Sequence, residues 1–197
     1  MLSFLRPAIA LTVAFTVLTG FVYPLAITGL AQIAFPARAD GSLLERGGIV
    51  IGSALIAQPF EGGGYLHPRP SASGYGAIPS GASNLGPTSA VLIAQVAARR
   101  VAWEAAEGVP APIDAVTASA SGLDPHISPE TALAQVARIA AWRGADAAAV
   151  RVLIEGRIEG RFLGLYGEPR VNVLLTNLAL DEAYGMPPAA GQENPTP

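Results

Sequence analysis

The sequence predicts an α+β protein in which one N-terminal transmembrane helix is followed by a single extracytoplasmic domain of about three helices and a small sheet. Three observations support this fold class. Residues 7–35 contain no charged side chain. The later part of the chain alternates helical periodicity with short β-branched runs. The mean hydropathy of +0.41 exceeds that of an ordinary soluble protein of this size, so a membrane segment is expected.

Residues 7–35 are predicted to cross the membrane once, after a cytoplasmic N-terminus of residues 1–6. A helix of 29 residues rises about 40 Å, which exceeds the roughly 30 Å of hydrocarbon in a bilayer. Pro24 has no N–H and should kink this helix or end its straight part. A cleavable signal peptide is the alternative, because Ala37-Arg38-Ala39 fits a small-x-small cleavage site. The apolar run is, however, about twice the usual length for such a peptide.

The basic residues flanking the span are nearly balanced, so the positive-inside rule alone does not orient it. Signal-like N-terminal spans usually export the domain that they precede, and a cysteine-free domain suits the outside of a bacterial inner membrane. Residues 37–184 are therefore expected to form an extracytoplasmic domain on a single-pass protein of that membrane. Residues 185–197 are rich in proline and are expected to be a disordered tail.

Composition excludes several kinds of chemistry. The chain of 197 residues has no cysteine and no lysine, which removes disulfides, thiolate metal sites, Schiff-base lysines and the lysine of phosphate-binding loops. A net charge of -3 offers nucleic acid no general attraction. The hydrophobic content of 51% with 14% charged residues excludes a disordered protein.

The domain is predicted to begin with a buried strand or strand pair in Gly47–Gln58. Residues 59–87 then form a long loop rich in glycine, proline and serine. Its aromatic residues Phe60, Tyr65 and Tyr75 favour an ordered, packed loop, which is more often functional than a mere connection. Gly62-Gly63-Gly64 within it is interpreted as a flexible turn.

Three helices are predicted from capping signals and apolar periodicity. The first runs from Thr88 or Ser89 to about Glu107 and carries Val91, Leu92, Val96 and Trp103 on its apolar face. The second starts at Ser128-Pro129-Glu130, ends near Trp142 and buries Leu133, Val136 and Ile139. The third is capped by Asp146 and continues through Val150, Leu153 and Ile154.

A strand is predicted over Val171–Leu175. It could pair with Phe162–Leu165 through a turn at Gly167-Glu168-Pro169. The sheet would therefore be small, and the domain mainly helical.

Ser121, Asp124 and His126 are the residue types of a serine hydrolase triad. They lie within one short segment, whereas triads assemble across a fold, and no Gly-x-Ser-x-Gly motif occurs. A metal site would need His67 and His126 to converge with a carboxylate, and their spacing does not indicate this. No catalytic and no metal-binding residue is therefore assigned. A membrane-anchored periplasmic hydrolase and a secreted binding domain stay open as alternatives.

Five segments, in order and behind a single N-terminal span, are similar to the KdpC family, the C subunit of the Kdp potassium-transporting P-type ATPase. The segments are Gly52–Gln58, Arg69–Ala72, Ser80–Thr88, Thr117–Pro129, and Leu163-Gly164 through Arg170–Leu174 to Leu180. The resemblance covers nearly the whole chain.

The resemblance implies a non-catalytic accessory subunit of a high-affinity, ATP-driven potassium uptake complex. Its implied partners are a channel-like potassium-binding subunit, an ATP-hydrolysing P-type subunit and a small peptide subunit, besides the lipid bilayer. ATP and potassium would be used by the complex, with no cofactor of its own. The family is described as a catalytic chaperone that raises the ATP affinity of the hydrolysing subunit.

The resemblance also suggests roles for particular residues. A Ser/Gly segment with a following glutamine would contact nucleotide, and Ser119, Ser121 and Gln135 are the candidates. A second group would form a partner interface or order the loops. It comprises Arg69, Ser71, Ser80, Asn84, Gly86, Asp124 and His126.

Overall fold

The structure, a computed structural model, describes residues 4–187. It separates into two compact units, Met1–Ser53 and Ala54–Pro197. The first unit contains an apolar helix and a β-hairpin, and the second contains helices around a small sheet. The α+β fold class with an N-terminal apolar helix is therefore confirmed.

The N-terminal helix extends from Leu5 to Ala34 and has 30 residues. Its most apolar stretch of 18 residues has a mean hydropathy of 1.9, so the helix is long and apolar enough to cross a membrane. It consists of α1 (Leu5–Val17), a π-helical segment (Leu18–Val22) and α2 (Tyr23–Ala34). The helix does not end at Pro24. This proline cannot donate to the carbonyl four residues earlier, and the wider π turn lies where that bond would form.

A short helix, α3 (Pro36–Ala39), leads into an antiparallel hairpin of β1 (Leu43–Arg46) and β2 (Ile49–Ser53). Gly47 and Gly48 form its turn, and both have positive φ, as a two-residue hairpin turn requires. The predicted strand pair is thus shifted: it begins before Gly47, and residues 54–58 form no strand. The hairpin is not buried as predicted, since Ser53 is the only buried residue in its two strands.

The second unit contains a three-stranded antiparallel sheet and six helices within the described residues. The strands are β3 (His126–Ile127), β4 (Ile158–Glu159) and β5 (Arg170–Asn172), and β5 lies in the centre. The helices are α4 (Ala90–Glu107), α5 (Ile113–Val116), α6 (Pro129–Ala134), α7 (Val136–Arg143), α8 (Ala147–Glu155) and α9 (Val173–Tyr184). Its core includes Leu66, Ile127, Val136, Ile139, Val150, Ile154, Val171 and Leu180.

The helix predicted over Ser128–Trp142 is two helices, α6 and α7, which meet at Gln135. Its predicted start is confirmed, because the Ser128 hydroxyl oxygen accepts a hydrogen bond from the Thr131 N–H at 3.0 Å. Val136 and Ile139 are buried, whereas Leu133 is half-buried against the core. Asp146 caps α8 as expected, and Val150 and Ile154 are buried.

The first predicted helix is confirmed as α4, which begins after Ser89 and ends at Glu107. Its apolar face does not enter the core. Leu92, Val96 and Trp103 are half-buried, Val91 is exposed, and none of the 18 residues of α4 is buried.

The predicted strand Val171–Leu175 is wrong beyond Asn172, since α9 begins at Val173. The Asn172 side chain accepts a hydrogen bond from the Leu175 N–H at 3.1 Å and thereby caps this helix. Phe162–Leu165 does not pair with β5. Phe162 instead pairs with Tyr166 across its own turn, and β3 and β4 flank β5.

The predicted tail of residues 185–197 falls partly within the structure. The Gly185 carbonyl accepts a hydrogen bond from Arg143, so the chain is held there. Residues 188–197 lie outside the described residues, as do residues 1–3 of the predicted cytoplasmic N-terminus.

Candidate functional site

Three of the predicted interface or loop-ordering residues, Arg69, Asp124 and His126, meet in one polar cluster. Arg69 Nη1 donates to Asp124 Oδ2 at 3.2 Å. The other carboxylate oxygen accepts from the His126 backbone N–H at 3.0 Å and lies 3.6 Å from His126 Nδ1. The cluster thus joins the loop after residue 67 to the segment that leads into β3.

Ser71 ties the same two segments together. Its hydroxyl donates to the Gly122 carbonyl at 2.7 Å and accepts from the Tyr75 N–H at 2.9 Å. Gly122 has a φ of +73°, and a Cβ there would come within 2.5 Å of Ser73 Oγ. The positive φ and the short distance to Ser73 together require glycine at position 122.

The cluster opens into a cleft of about 560 Å³ whose rim includes Asp114, Glu130 and Arg170. Burial disfavours the ionised form of Asp124, but His126 and the positive charge of Arg69 outweigh it and lower the pKa of the Asp124 carboxyl. Asp124 is thus held as a carboxylate within a mixed-charge surface. Such a surface is suited to binding and to fixing loop geometry.

The remaining predicted loop residues lie elsewhere. Ser80, Asn84 and Gly86 are exposed on the segment before α4. No hydrogen bond joins any of them to the polar cluster in the part of the chain that the structure describes. Their predicted role as interface residues stays a prediction.

The three residues predicted to contact nucleotide differ in accessibility. Ser119 is 3% exposed, and its hydroxyl has no hydrogen-bond partner among the described residues. Ser121 is exposed, and its hydroxyl accepts from the Leu123 N–H at 3.0 Å. Gln135 is fully buried. The nucleotide role stays a prediction for all three.

Gln135 and Asn177 hold the long loop by its backbone. Gln135 accepts from the His67 N–H at 2.8 Å and donates to the His67 carbonyl at 3.3 Å. Asn177 makes the same pair of bonds with Leu66, at 2.8 Å and 3.0 Å. We call these two side chains the amide latch. Each bonds a residue of the loop as a neighbouring β-strand would.

Two arginines complete the support of this loop. Arg138 donates to the carbonyls of Gly63 and Tyr65, and Arg143 donates to that of Gly64 at 2.7 Å. Gly63 packs so closely on Trp142 that a Cβ would overlap its indole ring. The flexible turn predicted at Gly62-Gly63-Gly64 is therefore wrong, because the turn is packed and hydrogen-bonded.

No sequence motif singles out five further residues that support these loops, which are Asp114, Arg138, Arg143, Asn177 and Asp181. Asp114 accepts hydrogen bonds from the Ser128 N–H and from the hydroxyls of Ser128 and Thr131, at 2.6–2.9 Å. Arginines inside a predicted helix usually face solvent, so their spacing gave no signal of a buried role.

The geometry gives no support to a serine hydrolase. No hydrogen bond connects Ser121 to His126 anywhere in residues 4–187. Within the same residues, no group of three His, Cys, Asp or Glu side chains is placed to hold a metal ion.

His67 should make stability depend on pH. Burial and the nearby charge of Arg138 lower its pKa below the ordinary value, although the Gly62 carbonyl opposes them. The unfolded chain then binds a proton at higher pH than the folded chain, so stability falls as the pH drops through the ordinary imidazole value of about 6.5.

We expect the full chain in detergent to lose more stability between about pH 8 and about pH 5.5 than its His67→Gln variant. Urea unfolding at each pH measures the difference. If the free energy of unfolding changed equally with pH in the two proteins, His67 would not be a source of the pH dependence. The matched control is His126→Gln, which leaves His67 in place.

The chain is similar to known proteins of one family. A family model described as KdpC: K+-transporting ATPase, c chain, matches residues 5–182. A protein named Potassium-transporting ATPase KdpC subunit from Cereibacter sphaeroides (strain ATCC 17029 / ATH 2.4.9) is 61% identical over 183 residues, which cover 93% of this chain and 99% of that protein. Proteins of the same name from Rhodospirillum rubrum and Methylobacterium nodulans are 58% and 52% identical, over 93% and 94% of this chain and 98% and 100% of their own lengths.

Proposed function

Because this chain belongs to the KdpC family of potassium-transporting ATPase c chains, we propose that it stabilises an ATP-driven potassium uptake complex and assists its ATP-hydrolysing subunit. The observation that carries this proposal is the family match over residues 5–182. An accessory role in potassium transport follows from membership itself.

The partners we propose are a channel-like potassium-binding subunit, an ATP-hydrolysing P-type subunit and a small peptide subunit. ATP and potassium would be bound by those partners. The described domain supports this assignment because several of its polar residues hold its loops in place: the Arg69–Asp124 pair and the amide latch of Gln135 and Asn177 both bond chain segments far apart in sequence. A rigid surface of this kind is suited to docking.

We propose that the helix Leu5–Ala34 anchors the chain in the bacterial inner membrane and that the second unit lies outside the cytoplasm. The helix has 30 residues, is mostly apolar and is long enough for one crossing. In this orientation the domain is separated from cytoplasmic ATP, so its assistance would act through the partner subunits. A domain on the cytoplasmic side would instead favour direct nucleotide contact, with the exposed Ser121 as its accessible residue.

Co-purification tests the proposed function. We expect a chain tagged after residue 187 and extracted with detergent to co-purify with both large subunits. The purified sample should hydrolyse ATP in a potassium-stimulated manner. A shortened chain recovered alone, beginning near Asp40, would contradict the proposal and indicate a secreted protein. A reporter enzyme active only outside the cytoplasm, fused after Tyr184, tests the orientation: activity supports it and inactivity contradicts it.

A further inference from the structure

A long part of the second unit carries no charge. No Asp, Glu, Lys or Arg occurs between Arg69 and Arg99, a run of 29 residues. Outside the N-terminal helix this is the longest uncharged run in the sequence. Its first residues lie beside the polar cluster, because Ser71 donates to the Gly122 carbonyl and the Tyr75 hydroxyl donates to the Arg69 carbonyl. We call the rest, residues 77–98, the neutral surface.

The neutral surface is largely exposed in the isolated chain. Ile78 is 95% exposed, and on α4 Val91 and Ile93 are 56% and 59% exposed. The two halves of α4 differ in charge. Residues 90–98 have no charged side chain, whereas residues 99–107 have four. Because solvent-facing helix surfaces normally carry charge and interface cores are depleted of it, the first half of α4 has the composition of a buried interface.

Lipid is a poor occupant for this surface. Between residues 77 and 85 the chain forms no helix or strand, and apart from the turn at residues 78–79 none of its backbone N–H groups donates a hydrogen bond within the described part of the chain. Hydrocarbon would leave these groups unsatisfied at a cost of several kcal/mol each. A protein partner can satisfy them with its own polar groups.

The chemistry of the surface also restricts the partner. A charged partner surface would lose its hydration on docking here and would find no opposite charge. The neutral surface has 22 residues, and one side of a standard protein interface has about 20–30. Its size and its lack of charge therefore fit one uncharged protein surface.

We propose that the neutral surface, residues 77–98, docks onto an uncharged surface of another subunit of the potassium-transporting ATPase complex. This inference rests on the proposed function, because only membership in such a complex supplies that partner. The exposed apolar residues Ile78, Val91 and Ile93 supply buried area, and the irregular segment before α4 supplies hydrogen-bonding groups.

Because the natural chain contains no cysteine, a single introduced thiol reports on its own position. Ile93→Cys and Ser83→Cys place a thiol on the neutral surface, and Val152→Cys places one on the exposed face of α8, at a residue 67% exposed. Each variant is labelled with a bulky maleimide, once as the purified complex and once as the chain alone in detergent.

We expect both thiols on the neutral surface to react at least about tenfold more slowly in the complex, since an interface core excludes solvent. The Val152→Cys control should change by less than about twofold. Equal labelling of Ile93→Cys in both samples overturns the inference but leaves the proposed function intact, because the complex has formed. Failure to obtain any complex from the unaltered chain overturns both.

Two further samples test the other occupants. If Ile93→Cys reacted more slowly with maleimide in phosphatidylcholine vesicles that contain this chain alone, the neutral surface would bind the membrane. Protection that increases with the concentration of the chain alone would assign it to a second copy. Either result overturns the inference.

A charge substitution gives an independent test. Ile93→Glu should reduce co-purification of the large subunits at least about tenfold, because a buried unpaired carboxylate is costly in an interface. Val152→Glu should leave co-purification unchanged. Urea unfolding of both variants checks that they remain folded. Full recovery of the complex with folded Ile93→Glu contradicts the inference.

Discussion

Replacing Arg143 with methionine should lower the free energy of unfolding of the full chain in detergent by about 3–5 kcal/mol. The Arg143 side chain is 1% exposed and that of Asp181 is 7% exposed, and Arg143 Nη2 donates to Asp181 Oδ1 at 2.9 Å. Arg143 also bonds the carbonyls of Gly64 and Leu180. The variant removes these bonds and leaves a buried carboxylate without its arginine.

Urea unfolding measures this loss, and Arg151→Met is the matched control. Arg151 is 51% exposed and lies 4.0 Å from Glu155 on α8. Its replacement should change stability by less than about 0.5 kcal/mol. Adding Asp181→Asn to Arg143→Met should restore part of the loss, because it removes the buried charge. A loss below about 1 kcal/mol for Arg143→Met would show that the pair does not hold the loop.

The Gln135→Leu variant should lose about 2–6 kcal/mol of unfolding free energy. Gln135 is fully buried and bonds both backbone groups of His67. Leucine has a similar volume but no polar atom, so the N–H and the carbonyl of His67 would both lose a buried partner, each at a cost of about 1–3 kcal/mol.

This variant also distinguishes the two roles considered for Gln135. A structural role predicts a loss of stability, whereas a nucleotide contact predicts a change in ATP affinity of the complex with stability preserved. Gln95→Leu, at an exposed position of α4, is the control and should change stability by no more than about 0.5 kcal/mol. An unchanged urea midpoint for Gln135→Leu would exclude the amide latch as a source of stability.

Elements with local signals could be predicted from the sequence. The caps at Ser128 and Asp146 act on N–H groups two or three residues away, so the starts of α6 and α8 are encoded locally. The N-terminal apolar helix is similarly encoded in its own composition. The order of the motifs was sufficient to indicate the family.

Elements set by tertiary contacts could not be predicted in this way. Val173–Leu175 continues the apolar run that begins at Val171, yet it forms the first turn of α9 because Asn172 caps it and the core accepts its apolar face. Similarly, α6 and α7 meet at Gln135, whose amide bonds a loop 68 residues earlier in sequence. Hydrophobic periodicity contains no information about such a partner.

In the candidate site, too, the contacts between distant parts of the chain could not be predicted from the sequence. The sequence singled out Arg69, Asp124 and His126 individually, and the structure brings them together. The spacing of 55 residues between Arg69 and Asp124 did not indicate that they pair. The glycines at 62–64 had the composition of a flexible turn, and only the position of Trp142 reveals why position 63 has no room for a side chain.

The amide latch has a consequence for the tolerance of this loop to substitution. Leu66 and His67 contribute only main-chain atoms to their bonds with Gln135 and Asn177. Any residue other than proline offers the same N–H and carbonyl, so position 67 can vary chemically while the attachment persists. Positions 135 and 177 have no such freedom, because a shorter or charged side chain cannot reproduce a peptide group. A change of side chain at position 67 therefore leaves the anchorage of the loop in place.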